Sequence, residues 1–147
     1  MKILNRKARY DYEILETLEA GIMLTGSEVK SVRAGHADLS GSFARIRGSE
    51  VYLVNASIFP YVHARLENYD PKRTRKLLLH KKQILSLKAK MDGSNLTIVP
   101  LCVYTTRLLI KAELALAKAK KVYEKRETIK KRDIAREIED AYTEGKY

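Results

Sequence analysis

The residues of this sequence that could ligate a metal ion or act in catalysis are few and widely separated. None of His36, His63 and His80 lies at ligand spacing from another histidine or from the single cysteine, Cys102. The sequence has no nucleophile elbow, no glycine-rich phosphate loop and no motif of paired acids. It therefore predicts no metal, no cofactor and no catalytic residue, and it disfavours an enzyme.

The side chains that the sequence offers in quantity are positively charged. Lys and Arg number 29 against 18 Asp and Glu, which gives a net charge of +11 and an isoelectric point near 9.7. The densest run, residues 117–132, holds eight basic residues and two acids. Lys and Arg bind nucleic acid by neutralising phosphates and releasing counterions. RNA or DNA is therefore the predicted partner.

Two other interpretations of this charge are possible. A solvated helix end would explain one basic run equally well, and a membrane surface is the competing polyanion. Membrane binding needs a basic helix with a large apolar face, a lipidation signal or a spanning segment of roughly 20 apolar residues, and the sequence has none. The N-terminal segment lacks a signal-peptide core, and Cys102 lies in an apolar run that suits a reducing compartment. We expect a cytoplasmic protein.

Two further clusters interleave positive charge with flat or polar side chains. The N-terminal cluster, residues 5–10, contains arginines that can bind phosphate and Tyr10, whose ring can stack on a base. The central cluster, from Lys72 to Lys90, has eight basic residues and no acid. Reading of double-stranded DNA would need a recognition helix with an Asn, Gln and Arg pattern, which is missing. The three clusters favour RNA recognised by shape.

The elements that must position these clusters are mainly β-strands. Alternating apolar residues predict strands over residues 9–18, 22–25, 43–46, 51–63, 77–79, 96–104 and 107–119. The segment RGSE predicts a hairpin turn, and Pro60 a bend. Short helices are predicted near residues 27–34, capped by Ser27 and closed by Gly35, and near residues 81–91. About six strands with short helices indicate a closed or partly closed antiparallel barrel.

The chain is predicted to have a body, residues 1–117, and a basic C-terminal tail, residues 118–147. Residues 120–142 contain good helix formers and no breaker, but an isolated helix of this length is marginal in water. We expect the tail to be disordered when free and helical when bound. The last residues, 133–147, are acidic and are expected to pair with the basic run or to limit non-specific RNA binding.

Four strings carry a resemblance to a known family. They are LNRKARYDY (4–12), EAGIMLTGSEVKSVRAG (19–35), DPKRTRKLLLHKKQI (70–84) and AKKVYEKRETIKKR (119–132). In order and spacing they are similar to the small protein B, or SsrA-binding protein, family over nearly the whole chain. The resemblance implies an oligonucleotide-binding-type barrel without catalytic activity. Such a barrel binds the tRNA-like domain of transfer-messenger RNA (tmRNA) and delivers it to stalled ribosomes for trans-translation.

The same resemblance implies the residues that make these contacts. The RNA-binding positions are Asn5, Arg6, Arg9, Glu28, Lys30, Arg33, Ala34, Gly35 and Lys111. The tail would probe the empty mRNA channel beside the small-subunit decoding centre through Lys118, Lys120, Lys121, Tyr123, Lys125, Arg126, Lys130, Lys131 and Arg132. Gly35 would let the backbone approach RNA closely. Two roles are open for Glu28, namely facing RNA or partnering a buried basic group.

Three positions depart from the family pattern. Ala115 and Ala119 stand where the family usually has Gly, and Ser27 stands where it often has Trp. The alanine at 119 argues against a flexible hinge between barrel and tail.

The charge and the barrel also fit other functions. A generic barrel for single-stranded nucleic acid and a ribosome-bound structural protein are the alternatives, and a nuclease would need an acid or histidine cluster. We expect a monomer in each case.

Overall fold

In the computed structural model the described residues are 2–61, 69–107, 109–120 and 126. They form a mainly β fold with short helices. The elements in chain order are β1 Lys2–Leu4, α1 Arg6–Asp11, β2 Tyr12–Ile22, α2 Gly26–Arg33, β3 Ala37–Asp38, β4 Phe43–Arg47, β5 Glu50–Val54, β6 Ser57–Ile58, β7 Arg75–Leu78, α3 Lys81–Met91, β8 Leu96–Thr105 and β9 Ile110–Ala119.

Six of the strands close into a ring. The large antiparallel sheet has the order β1-β8-β4-β5-β7-β2-β9, and β8 also pairs with β9. This second pairing joins the two ends of the run from β8 to β9, while β1 adds to β8 from outside the ring. The closing contacts are short, since β2 pairs with β7 only at Gly21 and Ile22 and β4 pairs with β8 only at Ala44. The predicted antiparallel barrel is confirmed.

Strand β9 contributes side chains to the core and also forms the surface against which α1 packs. Its first half alternates, with Ile110 and Ala112 buried and Lys111 half-buried on the outer face. Its second half is buried on both faces, because Ala115 and Ala117 pack in a small cluster with Ala8 of α1. Alanines on this outer face let the helix lie close to the strand.

Several predicted elements are confirmed with small shifts at their ends. The helix expected near residues 81–91 is α3, Lys81–Met91, and the hairpin across RGSE is formed by β4 and β5. The last two predicted strands are β8 and β9. The short strand expected at 77–79 is β7, Arg75–Leu78.

The strand expected from residue 9 is wrong at its beginning. Residues 9–11 belong to α1, and β2 begins only at Tyr12. The spacing of Tyr10 and Tyr12 suggested alternation, but Asn5 caps a helical turn upstream and only Ala8 of that helix is buried. The separate strand at 22–25 is also wrong, because β2 runs through to Ile22.

The long strand expected over residues 51–63 is wrong in its described part. Strand β5 ends at Val54, and β6 contains only Ser57–Ile58. Between them Asn55 has a φ of 65°, a left-handed conformation that Asn tolerates better than most residues and that ends the extended chain. Residues 62–63 lie outside the described residues.

Candidate nucleic-acid interface

The side chain of Asn5 fixes α1 to the barrel. Its Nδ2 donates to the Pro100 carbonyl at 2.8 Å and to the Leu39 carbonyl at 3.2 Å, and its Oδ1 accepts from the Ala8 N–H at 3.3 Å. Asn5 is only 4% exposed. It therefore joins the start of α1 to β8 and to the turn after β3, and its amide does not reach the surface.

We expect Asn5→Ala to lower the free energy of unfolding by about 2 kcal/mol, since it removes a helix cap and the two buried hydrogen bonds that Nδ2 donates. Urea denaturation would measure the loss. Asn95→Ala is the matched control, because Asn95 is exposed in the turn before β8 and its replacement should cost less than about 0.5 kcal/mol. Equal losses in the two variants would contradict the role given to Asn5.

The exposed side of α1 is basic and lies beside the end of β9. Arg6, Lys7 and Arg9 are exposed. The Lys120 N–H donates to the Asp11 carbonyl at 2.9 Å, and Lys120 Nζ donates to the Arg9 carbonyl at 3.1 Å. Where the chain leaves the barrel after β9, it is therefore hydrogen-bonded to the C-terminal end of α1.

Helix α2 begins with a capping box. Thr25 Oγ1 accepts from the Glu28 N–H at 3.3 Å, and Glu28 Oε1 accepts from the Thr25 N–H at 3.0 Å. Thr25 is the N-cap, so the expectation that Ser27 caps this helix is wrong. The string TGSE has the spacing of a capping box and could have identified Thr25 from the sequence.

The C-terminal end of α2 turns sharply at Gly35, as predicted. Gly35 has a φ of 80°, its N–H donates to the Val32 carbonyl at 3.0 Å, and the His36 N–H donates to the Ser31 carbonyl at 2.9 Å. This is a Schellman motif, which needs a left-handed residue at Gly35. The predicted RNA-binding positions Lys30, Arg33, Ala34 and Gly35 at this end of α2 are all exposed.

Glu28 lies in a buried ion-pair network under α2. Its Oε1 is 2.5 Å from Arg73 Nη2, and its Oε2 is 2.6 Å from Arg75 Nη2. The side chains of Glu28 and Arg75 are fully buried, whereas that of Arg73 is 42% exposed. Of the two roles open for Glu28, the structure therefore gives it that of a partner for buried basic groups.

The network keeps Glu28 ionised. Burial alone would raise the pKa of its carboxyl, but hydrogen bonds from Arg73, from the Thr25 N–H and from Arg75 outweigh burial and lower the pKa to about 2. Arg75 is satisfied as well, since it donates to the carbonyls of Ala56, Arg73 and Pro71 at 2.9–3.0 Å. Helix α2 is thus tied to β7 and to the segment before it.

Lys111 stands apart from α1. It forms a 2.7 Å ion pair with Glu19 Oε1, and the Tyr104 hydroxyl donates to the other oxygen of Glu19. Hydrogen bonds from Lys111 and Tyr104 lower the pKa of Glu19, and the carboxylate raises the pKa of Tyr104 to about 12. Ala119, where β9 meets α1, is eight residues along the strand from Lys111, or about 26 Å.

The central cluster does not form one surface. Arg75 is buried, Lys76 pairs with Glu50 at 2.9 Å, and Lys90 pairs with Glu16 at 2.5 Å. The charge run in the sequence therefore spreads over the core, the outer face of the barrel and α3.

Comparison with known proteins gives the family. Residues 2–144 match the family described as SmpB protein. The chain is 54% identical over 138 residues to the SsrA-binding protein of Chlorobaculum tepidum, covering 93% of this chain and 88% of that one. It is 52% identical over 140 residues to the SsrA-binding protein of Pelotomaculum thermopropionicum, covering 95% and 92%. This chain belongs to the SmpB family.

The fold agrees with a solved member of the SmpB family. A chain in the structure described as "tmRNA-SmpB: a journey to the center of the bacterial ribosome" superimposes with a TM-score of 0.69 at 51% identity, over 82% of this chain and 85% of that chain. SmpB is an RNA-binding family and not an enzyme family. Among the described residues, no group of three potential ligands could hold a metal ion. No helix in the same part of the chain is long and apolar enough to cross a membrane.

The structure shows the surroundings of Ala115, Ala119 and Ser27, the three residues that depart from the expected family pattern. Ala115 is fully buried in the cluster that seats α1. Ala119 is the last residue of β9 and pairs with Tyr12 of β2, so an ordinary strand backbone suffices there. Ser27 lies in the first turn of α2, with its Oγ 3.3 Å from Thr25 Oγ1.

The SmpB-like tail is only partly within the described residues. Lys118 is exposed on β9, Lys120 is bound to α1, and Arg126 is exposed. Lys121, Tyr123, Lys125, Lys130, Lys131 and Arg132 lie outside the described residues. Strand β9 continues to Ala119, and the division of the chain at residue 117 stays a prediction.

Arg75 and Tyr69 also belong to the Glu28 network, although neither is among the predicted site residues. The Tyr69 hydroxyl donates to the Ile58 carbonyl at 2.7 Å and lies 3.3 Å from Glu28 Oε2. One signal was present for Arg75, because period-two alternation in β7 puts it on the same inward face as Leu77.

Proposed function

We propose that this chain binds the tRNA-like domain of tmRNA and delivers it to stalled ribosomes for trans-translation, acting in the cytoplasm as a monomeric adaptor without catalysis. Its C-terminal tail then probes the empty mRNA channel. Family membership over residues 2–144 and the likeness to the tmRNA-SmpB structure support this proposal.

The observation that carries the proposal is the framework beneath the exposed basic residues of α1 and α2. Asn5 binds α1 to the Leu39 carbonyl, in the turn that follows α2 and β3. The Glu28 network fixes α2 to β7. Two small helices with exposed arginines are therefore held rigidly on one barrel, as recognition of a folded RNA by shape requires.

We assign different tasks to the family positions. Arg6, Arg9, Lys30, Arg33 and Lys111 contact phosphates, and Gly35 permits close approach of the backbone. Asn5 and Glu28 are positioning residues, because their side chains are buried and hold α1 and α2. Message in the channel competes with the tail for the same path, so only an empty channel accepts it.

A competition experiment tests the proposal against a generic RNA-binding barrel. Labelled tRNA-like domain bound to the full chain is displaced with unlabelled tRNA-like domain, transfer RNA or unstructured RNA of equal length, all at the same salt concentration. We expect the unstructured RNA to compete at least about 100-fold less well than the tRNA-like domain. Equal competition by all three RNAs would replace the adaptor by the generic barrel.

A further inference from the structure

The β4–α3 groove is a largely apolar cavity between β4, the start of β8 and the C-terminal end of α3. Its volume is about 750 Å³, and the apolar residues that line it include Phe43, Ile46 and Met91. Strand β4 pairs with β8 only at Ala44 and Ile98, so the ladder between these strands stops beside the groove. The groove can therefore take apolar side chains from another segment of protein.

The rim of the β4–α3 groove is basic. Arg45 and Lys88 are exposed and line the groove, and within the described residues neither of them forms an ion pair. Arg45 Cζ lies 5.7 Å from the centre of the Phe43 ring, so the guanidinium is held over the apolar wall. Among the lining residues in the described part of the chain, Asp92 is the one acid. An occupant with an apolar face and an excess of acids would complement this groove.

The acidic segment, residues 133–147, has this composition. It lies outside the described residues, and its sequence contains five acids and two basic residues, whereas 27 basic and 13 acidic residues precede it. Ile134, Ile138 and Tyr142 are four residues apart, which is the spacing of one helix face. A second stripe beside them, at spacings of four and three, consists of Asp133, Glu137, Asp140 and Glu144. Folded as a helix, the acidic segment would present an apolar stripe flanked by acids.

The tail begins close enough to the groove for the acidic segment to reach it. Thr97 lines the groove and pairs with Ala117, which precedes Lys120 by three residues. With about 3.3 Å per strand residue and about 4.8 Å between strands, the Cα atoms of Thr97 and Lys120 are about 11 Å apart. The tether from Lys120 to the acidic segment is residues 121–132, and 12 unstructured residues have an r.m.s. length of about 19 Å. A short tether gives an effective concentration of about 1 mM, so even a weak contact would be populated.

We propose that the acidic segment docks in the β4–α3 groove of its own chain, with its apolar stripe inside and its acids on Arg45 and Lys88. The tether is then closed into a loop beside the barrel, and the tail is held back while no ribosome is present. Entry into the mRNA channel requires the acidic segment to leave the groove, and this consequence rests on the proposed function. The docking itself needs neither RNA nor ribosome.

A single tryptophan can report on the docking, because the sequence has none of its own. Tyr142→Trp places it on the apolar stripe of the full chain, and a synthetic peptide of residues 133–147 with the same change gives the exposed reference. We expect acrylamide to quench the full chain about threefold less than the peptide, as for a segment that is docked in most molecules. Equal quenching of the full chain and the peptide would overturn the inference.

Charge variants on α3 test the groove as the docking site. Lys88→Glu reverses a charge on the rim, whereas Lys81→Glu makes the same change about 10 Å away along the helix and outside the groove. Both lysines are exposed. We expect Lys88→Glu to raise the quenching about twofold, because it sets a like charge against the acids, and Lys81→Glu to leave it unchanged. Equal quenching in the two variants would remove the groove as the site.

Changes within the tail leave the barrel untouched and give a second test. Ile138→Ser removes an apolar residue from the stripe, and Ile129→Ser makes the same change in the tether. Only Ile138→Ser should expose the tryptophan. Protection that survives Ile138→Ser would mean that the acids pair with the basic run of the tail, which would contradict docking in an apolar groove.

Dilution distinguishes docking within one chain from docking between two copies. Because the tether sets the effective concentration, the quenching should stay constant over about a 100-fold dilution. Protection that disappears on dilution would give the groove to a second copy and overturn the proposal. The proposed function would survive each of these failures, since the preference for the tRNA-like domain is measured separately in the competition experiment.

Discussion

A chain that ends after Lys120 is expected to bind the tRNA-like domain within about threefold of the full chain while losing all tagging of stalled products. Residues 121–147 contain eight basic and seven acidic residues, so their removal lowers the net charge only from +11 to +10. The general attraction to RNA is therefore almost unchanged. Only the proposed contact with the mRNA channel is lost. Fluorescence anisotropy measures binding, and a reconstituted translation reaction on a message without a stop codon measures tagging.

The position of the truncation matters, and a shorter chain is its control. Ending after Lys118 removes the pairing of Ala119 with Tyr12 and both hydrogen bonds from Lys120 to α1. This chain should lose RNA affinity as well as tagging, because α1 is no longer held. If the chain ending after Lys120 lost binding and tagging in equal measure, the division between barrel and tail would be wrong.

Glu28→Gln is expected to destabilise the protein by about 3–5 kcal/mol, because it leaves Arg75 charged and buried without its carboxylate. Urea denaturation measures the loss. Glu16→Gln, which breaks the exposed pair with Lys90, should cost at most about 1 kcal/mol. The double variant Glu28→Met with Arg75→Met should recover much of the stability, since neither charge remains buried.

The same carboxylate makes stability depend on pH. The pKa of Glu28 is about 2 in the folded protein against an ordinary value of 4.5, so its contribution of about 3 kcal/mol is complete above pH 4.5 and is lost as the pH falls toward 2. The difference in unfolding free energy between unmutated chain and Glu28→Gln should therefore shrink across this range. A difference that stays constant from pH 5 to pH 2.5 would contradict ionisation of Glu28.

The barrel and α3 could be predicted because their signals are local. Alternation in β9 and the hairpin turn between β4 and β5 can be read within ten residues of sequence. Asn5 could not be understood in this way, since its partners Leu39 and Pro100 are 34 and 95 residues away in sequence. Its predicted place at the RNA was inferred from family position, whereas its side chain is only 4% exposed and is hydrogen-bonded to Leu39, Pro100 and Ala8.

It was equally difficult to predict from the sequence which basic residues are buried. A run of basic residues gives no information about which of them folding will bury, and Arg75 and Lys76 are neighbours in sequence with opposite fates. They differ because side chains alternate between the two faces of β7, so that Arg75 faces Glu28 and Lys76 faces Glu50. The alternation of β7 was present in the sequence, but the count of basic residues in the cluster does not use it.

The hydrogen bonds of Lys120 to α1 also fix where the tail begins relative to that helix. Because its backbone N–H and its Nζ both donate to carbonyls of that helix, the start of the tail is fixed beside the exposed arginines of α1. If RNA binds α1 as proposed, the barrel therefore sets the distance between that RNA and Lys120, where the tail begins. Inserting glycines directly after Lys120 would lengthen the distance between α1 and the rest of the tail, and it would leave the hydrogen bonds of Lys120 in place.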